Sequence, residues 1–234
     1  MDVTDVDFEE MYQGKTPIGE KVPWDIDGPQ PAVVALEADG GFYGEVLDIG
    51  CGFGENAMYL ASRGHRVTGL DGAPTALARA RETAAKRGLD VTFDQADATR
   101  LEGYEGRFDS VLDSALYHCL DEEQRHAYVA ALVRATKPGA RLNIFCFSEK
   151  VPANFPVPYR ITEQNLRETV GNGWTISVLE PAVYTTAMSR EGLIAAVSAV
   201  SPDEKPDPTS LDSLDVDEQG RVLVPMWRLA ADRA

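Results

Sequence analysis

The sequence predicts an α/β fold: an open, mostly parallel sheet with helices on both faces. Three observations predict it. Short apolar runs alternate with helical segments from Glu45 to Phe147. Gly or Pro punctuates most of the junctions between them. The first apolar run ends in Val46-Leu47-Asp48-Ile49-Gly50-Cys51-Gly52-Phe53-Gly54 and passes straight into a helix. Strands alternating with helices of this length build βαβ units and a mainly parallel sheet.

The elements follow in order. Residues 1–30 are polar with several Gly and Pro, an N-terminal arm around a short helical stretch, Val6 to Gln13. Pro31 opens a helix running to Ala38, stopped by Asp39-Gly40-Gly41, the expected Pro-in, Gly-out asymmetry. Glu45 to Ile49 is a strand, Glu55 to Arg63 a helix stopped at Gly64, and His65 to Leu70 a second strand. The alanine-rich run Pro74 to Arg87 is a strong helix ending at Gly88. Asp90 to Gln95 and Phe108 to Asp113 are the third and fourth strands. Glu122 to Thr136 is a helix closed by a Lys137-Pro138-Gly139 turn, and Arg141 to Phe147 is the fifth strand. Beyond Ser148 the pattern weakens. Val151 to Tyr159 holds three prolines and reads as a loop; Thr162 is placed to cap a helix to Val170. Trp174 to Tyr184 and Val222 to Leu229 are two further strands, with a helix, Arg190 to Ala199, between them. Residues 201–219, acidic and rich in Pro and Ser, read as an exposed loop.

Length and composition fit one domain. The chain has 234 residues, 44% hydrophobic and 26% charged. No apolar run approaches the ~20 residues that span a bilayer, and the acidic N-terminus lacks the apolar core of a signal peptide, so a cytoplasmic location is expected. The net charge of −16 disfavours phosphate backbones and anionic lipid, so neither nucleic acid nor membrane is an expected partner. The same charge also reads simply as solubility or salt adaptation. Cys51, Cys119 and Cys146 are odd in number and widely spaced, which suggests neither a disulfide framework nor a zinc site.

Four segments carry candidate chemistry. In the first, Gly50, Gly52 and Gly54 permit a tight turn and close backbone approach to a ligand, and the following helix adds oriented N–H donors. Asp48 precedes them and can accept from a cationic amine. Dinucleotide sites use G-x-G-x-x-G against a pyrophosphate. The G-x-G-x-G spacing beside an acid suits S-adenosylmethionine (SAM), which has an α-amino group and no phosphate, better than NAD. The second is Asp71, at the tip of the next strand and roughly 20 residues on, placed to bind ribose hydroxyls. Capping the helix at Pro74 is its plainer role, and the two are compatible. The third is Gln95-Ala96-Asp97-Ala98-Thr99, where Asp97 and nearby backbone N–H groups can meet an adenine. The fourth is Asp113-Ser114-Ala115-Leu116-Tyr117-His118-Cys119-Leu120, at the carboxyl end of the fourth strand, where ligands of open α/β sheets bind. There His118 is a candidate general base and Tyr117 a candidate for orienting the acceptor. A structural histidine is the alternative.

Together these segments resemble the class I SAM-dependent methyltransferase family over residues 44–148, and Lys137-Pro138-Gly139 is similar to that family's turn before strand five. The resemblance implies a Rossmann-like, seven-stranded sheet whose last strand, Val222 to Leu229, is antiparallel. It implies SAM as methyl donor, S-adenosylhomocysteine (SAH) as product and no metal. The implied cofactor contacts are Asp48, Gly50, Cys51, Gly52, Gly54, Asp71, Gly72, Asp97, Ala98 and Asp113. Val22-Pro23-Trp24-Asp25-Ile26-Asp27-Gly28-Pro29-Gln30-Pro31 resembles an arm segment of small actinobacterial methyltransferases, including heterocyclic-toxin and quinolone N-methyltransferases related to thiopurine methyltransferases. By that resemblance residues 1–31 are a lid on a domain of residues 32–234, while the acidic insertion at 185–220, before the last strand, departs from that group. Trp24 then lines the donor site with Gln30 nearby.

The implied acceptor is a small planar heteroaromatic or phenolic molecule, methylated on N or O by direct displacement. Trp24, Tyr117, His118, Phe147, Phe155 and Tyr159 are its expected contacts. Other readings stay open: a different acceptor of natural-product biosynthesis, a macromolecular substrate, a NAD oxidoreductase disfavoured by the glycine spacing, or a SAM-binding domain without turnover. Monomer and homodimer are equally compatible with the sequence.

Overall fold

The computed structural model describes residues 7–16, 22–153, 155, 157–200 and 211–234. Its strands are β1 (Glu45–Ile49), β2 (Arg66–Asp71), β3 (Val91–Gln95), β4 (Phe108–Ser114), β5 (Thr136–Phe147), β6 (Trp174–Thr185) and β7 (Leu223–Arg233). They form one sheet in the order β3-β2-β1-β4-β5-β7-β6. The β1–β2, β1–β4, β2–β3 and β4–β5 pairs are parallel. β7 runs antiparallel between β5 and β6. The class I methyltransferase topology implied by the resemblance is therefore present, a Rossmann-like mixed sheet. The chain reverses its winding between β1 and β4. At such a switch point a crevice opens outside the carboxyl ends of the strands.

Among the described residues, seven α-helices accompany the sheet: α1 (Phe8–Tyr12), α2 (Pro31–Ala38), α3 (Glu55–Ser62), α4 (Pro74–Arg87), α5 (Glu122–Ala135), α6 (Glu163–Val170) and α7 (Arg190–Val200). Side chains alternate across each strand, so consecutive strand residues enter opposite cores. Leu47, Val111, Leu142 and Ile144 pack with Tyr128 and Leu132 of α5 and Leu166 of α6. Val46, Leu112 and Phe145 pack on the other face with Val33, Leu60 and Leu77 of α2, α3 and α4. Burying each such side chain is worth about 1.5–3 kcal/mol before the entropy of ordering. Capping fixes the helix starts. Asp121 and Gln124 form a reciprocal capping box at α5, and Thr162 accepts from the Asn165 N–H at α6.

Three sequence expectations change. Lys137-Pro138-Gly139 is not a turn outside the sheet but part of β5. Phe108 pairs with Thr136 and Ser110 with Arg141, so residues 137–140 bulge between two paired positions. Residues 201–210 of the expected acidic loop lie outside the described residues. From Leu211 the segment is anchored: Leu211 and Leu214 are buried in a small core with Val151, Phe155, Leu193 and Val222. The helix expected over Val6–Gln13 is limited to five residues, capped by Asp7. No helix among the described residues is long and apolar enough to cross a membrane.

Candidate functional site

The carboxyl ends of β1 to β6 open onto one large cavity, about 1230 Å³, large enough for two small molecules side by side. Its floor is the β1–α3 turn. Gly50, Gly52 and Gly54 all have positive φ, at 71°, 53° and 77°. At Gly52 a Cβ would stand 2.7 Å from the Tyr12 hydroxyl, so a side chain there would displace Tyr12 of the arm in addition to straining the positive φ. Cys51 lines the same floor.

Asp71 projects from the end of β2. Its Oδ2 accepts the Gly52 N–H and its Oδ1 the Ala73 N–H, each at 2.8 Å. An ionised carboxylate has about four lone-pair directions. These backbone groups hold the carboxylate in place and leave it acceptor capacity toward the cavity. Gly72 lies beside it on the cavity wall. Further along, Asp97 and Ala98 line the cavity, and Asp97 Oδ1 is braced by the Thr99 N–H (2.8 Å) and hydroxyl (2.7 Å).

Asp48 and Asp113 stand differently from expectation. Neither lines the cavity. Asp48 is 1% exposed beneath the glycine loop, and its Oδ2 has no hydrogen-bond partner among the described residues. Burial, with Asp71 nearby, raises its pKa to about 7. Asp113 is fully buried and already occupied. Oδ1 accepts from the Leu116 (2.8 Å) and Tyr117 (3.3 Å) N–H groups, and Oδ2 from the Tyr128 hydroxyl at 2.8 Å. It shapes the turn after β4 rather than meeting a ligand. The turn also holds Ala115 at φ 85°, a strained conformation for a residue with a Cβ.

That turn, continued by a 3-10 segment, Tyr117–Cys119, separates the two expected catalytic residues. Tyr117 swings into the core beneath the sheet, fully buried, with its hydroxyl against Asn165 Oδ1 at 3.0 Å. It does not line the cavity, so it neither orients an acceptor nor acts as a base. Tyr159 is likewise outside the lining; its ring packs over the Arg125 guanidinium, 5.1 Å from the ring centre. His118 does face the cavity. Its Nδ1 accepts the Phe147 N–H at 3.3 Å, and burial pushes its pKa down to about 3. A ring held neutral with its basic nitrogen occupied is a poor general base.

Aromatic walls complete the site. Trp24 lines the cavity, donating its indole N–H to the Tyr12 hydroxyl at 3.2 Å. Tyr12 stands edge-on to Phe53, with ring centres 4.8 Å apart. Gln30 pins the arm to β6: Nε2 donates to the Thr185 carbonyl (3.0 Å) and Oε1 accepts from the Thr185 N–H (3.2 Å). Glu9 of α1 accepts from the Thr75 N–H at 3.1 Å, fastening the arm to the start of α4. At the opposite end the walls are apolar. Phe147, Phe155 and Pro158 face Leu193 and Ala196 of α7. The Arg160 guanidinium holds the proline loop by donating to the carbonyls of Val151, Pro152, Ala153 and Phe155.

Sequence reasoning missed Phe8, Tyr12, Phe53, Tyr184 and Leu193, all on the cavity wall. For Phe8 and Tyr12 a signal existed, since residues four apart in a helix share a face. Among the described residues no group of three or more His, Cys, Asp or Glu is placed to hold a metal ion.

Comparisons with known proteins agree with this geometry. A family model described as a methyltransferase domain matches residues 46–139. The chain is 42% identical over 179 residues to 2-heptyl-1-hydroxyquinolin-4(1H)-one methyltransferase of Mycobacteroides abscessus, covering 75% of this chain and 79% of the relative. A structure solved for the conversion of a disulfide bond into a thioacetal group during echinomycin biosynthesis is 35% identical, with TM-score 0.79, covering 97% of this chain and 90% of the other. A SAM-dependent methyltransferase of Methanosarcina mazei shares the fold, with TM-score 0.62 at 19% identity and coverage of 84% and 96%.

Proposed function

Since the chain belongs to the SAM-dependent methyltransferases, we propose that it methylates a nitrogen or oxygen of a small planar heteroaromatic or phenolic acceptor. The observation that carries the acceptor reading is the division of one cavity into two ends. The Asp71, Asp97 and glycine-loop end is polar, and the Phe147, Phe155 and Leu193 end is apolar and aromatic. The Mycobacteroides relative, named for a quinolone bearing an N-hydroxyl and a heptyl chain, supports an acceptor of that shape.

The residues present fit SAM. Asp48 lies beneath the glycine loop with Oδ2 unpartnered among the described residues, and a cationic amine held at that loop would favour its ionised form. The acceptor capacity left on Asp71 suits a ribose diol, and Asp97 and Ala98 suit an adenine edge. When bound, SAM supplies a methyl group already activated by the sulfonium charge. What the protein adds is alignment and exclusion of water, worth ~7–11 kcal/mol in favourable cases. Trp24 and Phe147 supply flat apolar surface, and the described arm residues, 7–16 and 22–31, act as a lid through the Glu9, Tyr12 and Trp24 contacts.

Calorimetric titration with SAM, SAH and NAD tests the donor site, and turnover on quinolones, phenols and thiopurines tests the acceptor. Binding of both adenosyl ligands but not NAD, with methylation of at least one planar acceptor, is the expected result. Adenosyl binding without turnover on any planar acceptor would overturn the acceptor reading and favour a SAM-binding domain without turnover.

A further inference from the structure

The surroundings of His118 fix its orientation and its tautomer. The residue is 3% exposed. One ring nitrogen, Nδ1, receives the Phe147 N–H. The ring lies 4.1 Å from the Phe147 ring, tilted by 33°. Its carbonyl accepts the Tyr159 N–H at 3.1 Å, which holds the backbone as well. A neutral imidazole carries one hydrogen, and here Nδ1 accepts one, so that hydrogen resides on Nε2. Nε2 has no protein partner among the described residues, and His118 lines the cavity at its junction with the aromatic end.

We infer that His118 is a substrate-positioning hydrogen-bond donor: its Nε2–H recognises an oxygen on the acceptor ring, a carbonyl or an oxyanion, and takes no proton from it. This rests on the planar-acceptor reading above. It narrows the class to heteroaromatic rings bearing an oxygen, because a ring without one, once seated, leaves a buried donor unpaired. Any proton on the nucleophile is lost to water before the acceptor settles.

The electrostatics agree. No ion pair reaches His118 among the described residues, and burial alone lowers its basicity. Two titratable groups on the same wall, Cys119 and Tyr184, are both pushed up by burial and stay neutral. The nearest acid on the same turn, Asp113, is turned into its three hydrogen bonds. Among the described residues no group is placed to recharge the imidazole near neutrality.

The test compares wild type, His118→Gln and His118→Phe, each loaded with SAH, by calorimetric titration with quinolin-4-one and with quinoline. Gln presents an N–H near the position of Nε2; Phe keeps the ring shape and removes the donor. Wild type should bind quinolin-4-one about tenfold more tightly than quinoline, the cost of leaving one buried donor unpaired. His118→Phe should lose that preference and His118→Gln keep most of it, with SAH affinity equal in all three. In turnover, the lost donor should appear mainly in KM, and the pH profile should follow the acidity of the acceptor used. A preference kept by His118→Phe would overturn the donor role. So would a kcat loss shared by both variants together with a fixed rise near neutral pH for every acceptor. Failure of both ring compounds to bind the SAH-loaded protein would instead sink the planar-acceptor reading, and this inference with it.

Discussion

At Asp48 a carboxylate is enclosed beneath the glycine loop with one oxygen unpaired among the described residues. Its pKa, raised to about 7, makes the unliganded protein sensitive to pH. The unfolded chain loses this proton near the ordinary carboxylate value, whereas the folded chain keeps it until about 7. Over that interval the folded state binds more protons, so stability falls as pH rises. Asp113, also raised to about 7, acts in the same direction. The melting temperature without ligand should therefore fall from about pH 5 to pH 8, and Asp48→Asn should remove a large part of the fall while weakening SAM binding about tenfold at pH 8. A pH slope unchanged in the variant would show that Asp48 is not its source. Asp71→Ala should weaken SAM by ~1–3 kcal/mol through lost ribose hydrogen bonds, read by the same calorimetry. Asp71 was legible in the sequence because its place at a strand tip fixes its direction. Tyr117 and His118 were not separable there. Which one enters the cavity depends on Asp113 capturing two N–H groups and on the positive φ of Ala115, and neither leaves a periodic trace.

Helix α7 and the proline loop together form the apolar end of the cavity, and they belong to the least regular part of the chain. From β1 to α5, periodicity and turn residues agreed, so element limits were readable to within a residue or two. The bulge in β5 was misread because Pro-Gly signals a reversal, and only pairing with β4 shows the strand resuming. The aromatic end was half legible. Phe147 and Phe155 were expected there, but Leu193 and Ala196 came from a helix with no motif to mark it. If α7 bounds the acceptor, Ala196→Trp should obstruct it and leave the donor end alone. The expected outcome is acceptor KM raised about tenfold or more with SAH affinity unchanged. A loss of SAH binding would mean that donor and acceptor share that end. At the other end, Glu9→Ala removes the contacts with Thr75 and should weaken SAM binding modestly, about two- to fivefold, through a looser arm.

The whole molecule carries 38 acidic against 22 basic side chains, a net charge of −16. Its ion pairs are mostly at the surface, such as Arg87–Glu55 and Lys137–Asp109, where each contributes little to stability. Self-repulsion is then the larger electrostatic effect on the folded state. Raising salt from about 0.01 to 0.5 M shortens the screening length from ~30 Å to a few Å, so the melting temperature should rise by a few degrees. The same field acts on an incoming acceptor. A phenolate or other oxyanion approaches a surface of its own sign, whereas a neutral heterocycle does not feel the net charge. With donor saturating, kcat/KM for an anionic acceptor should climb over that salt range, and that for a neutral acceptor should stay flat. The pairing matters because salt acts on every exposed charge, and only the difference between the two acceptors isolates the encounter. Parallel salt responses would assign the effect to the protein's own conformation. A fall for the anion alone would reveal a local positive field at the cavity mouth strong enough to overcome the net charge.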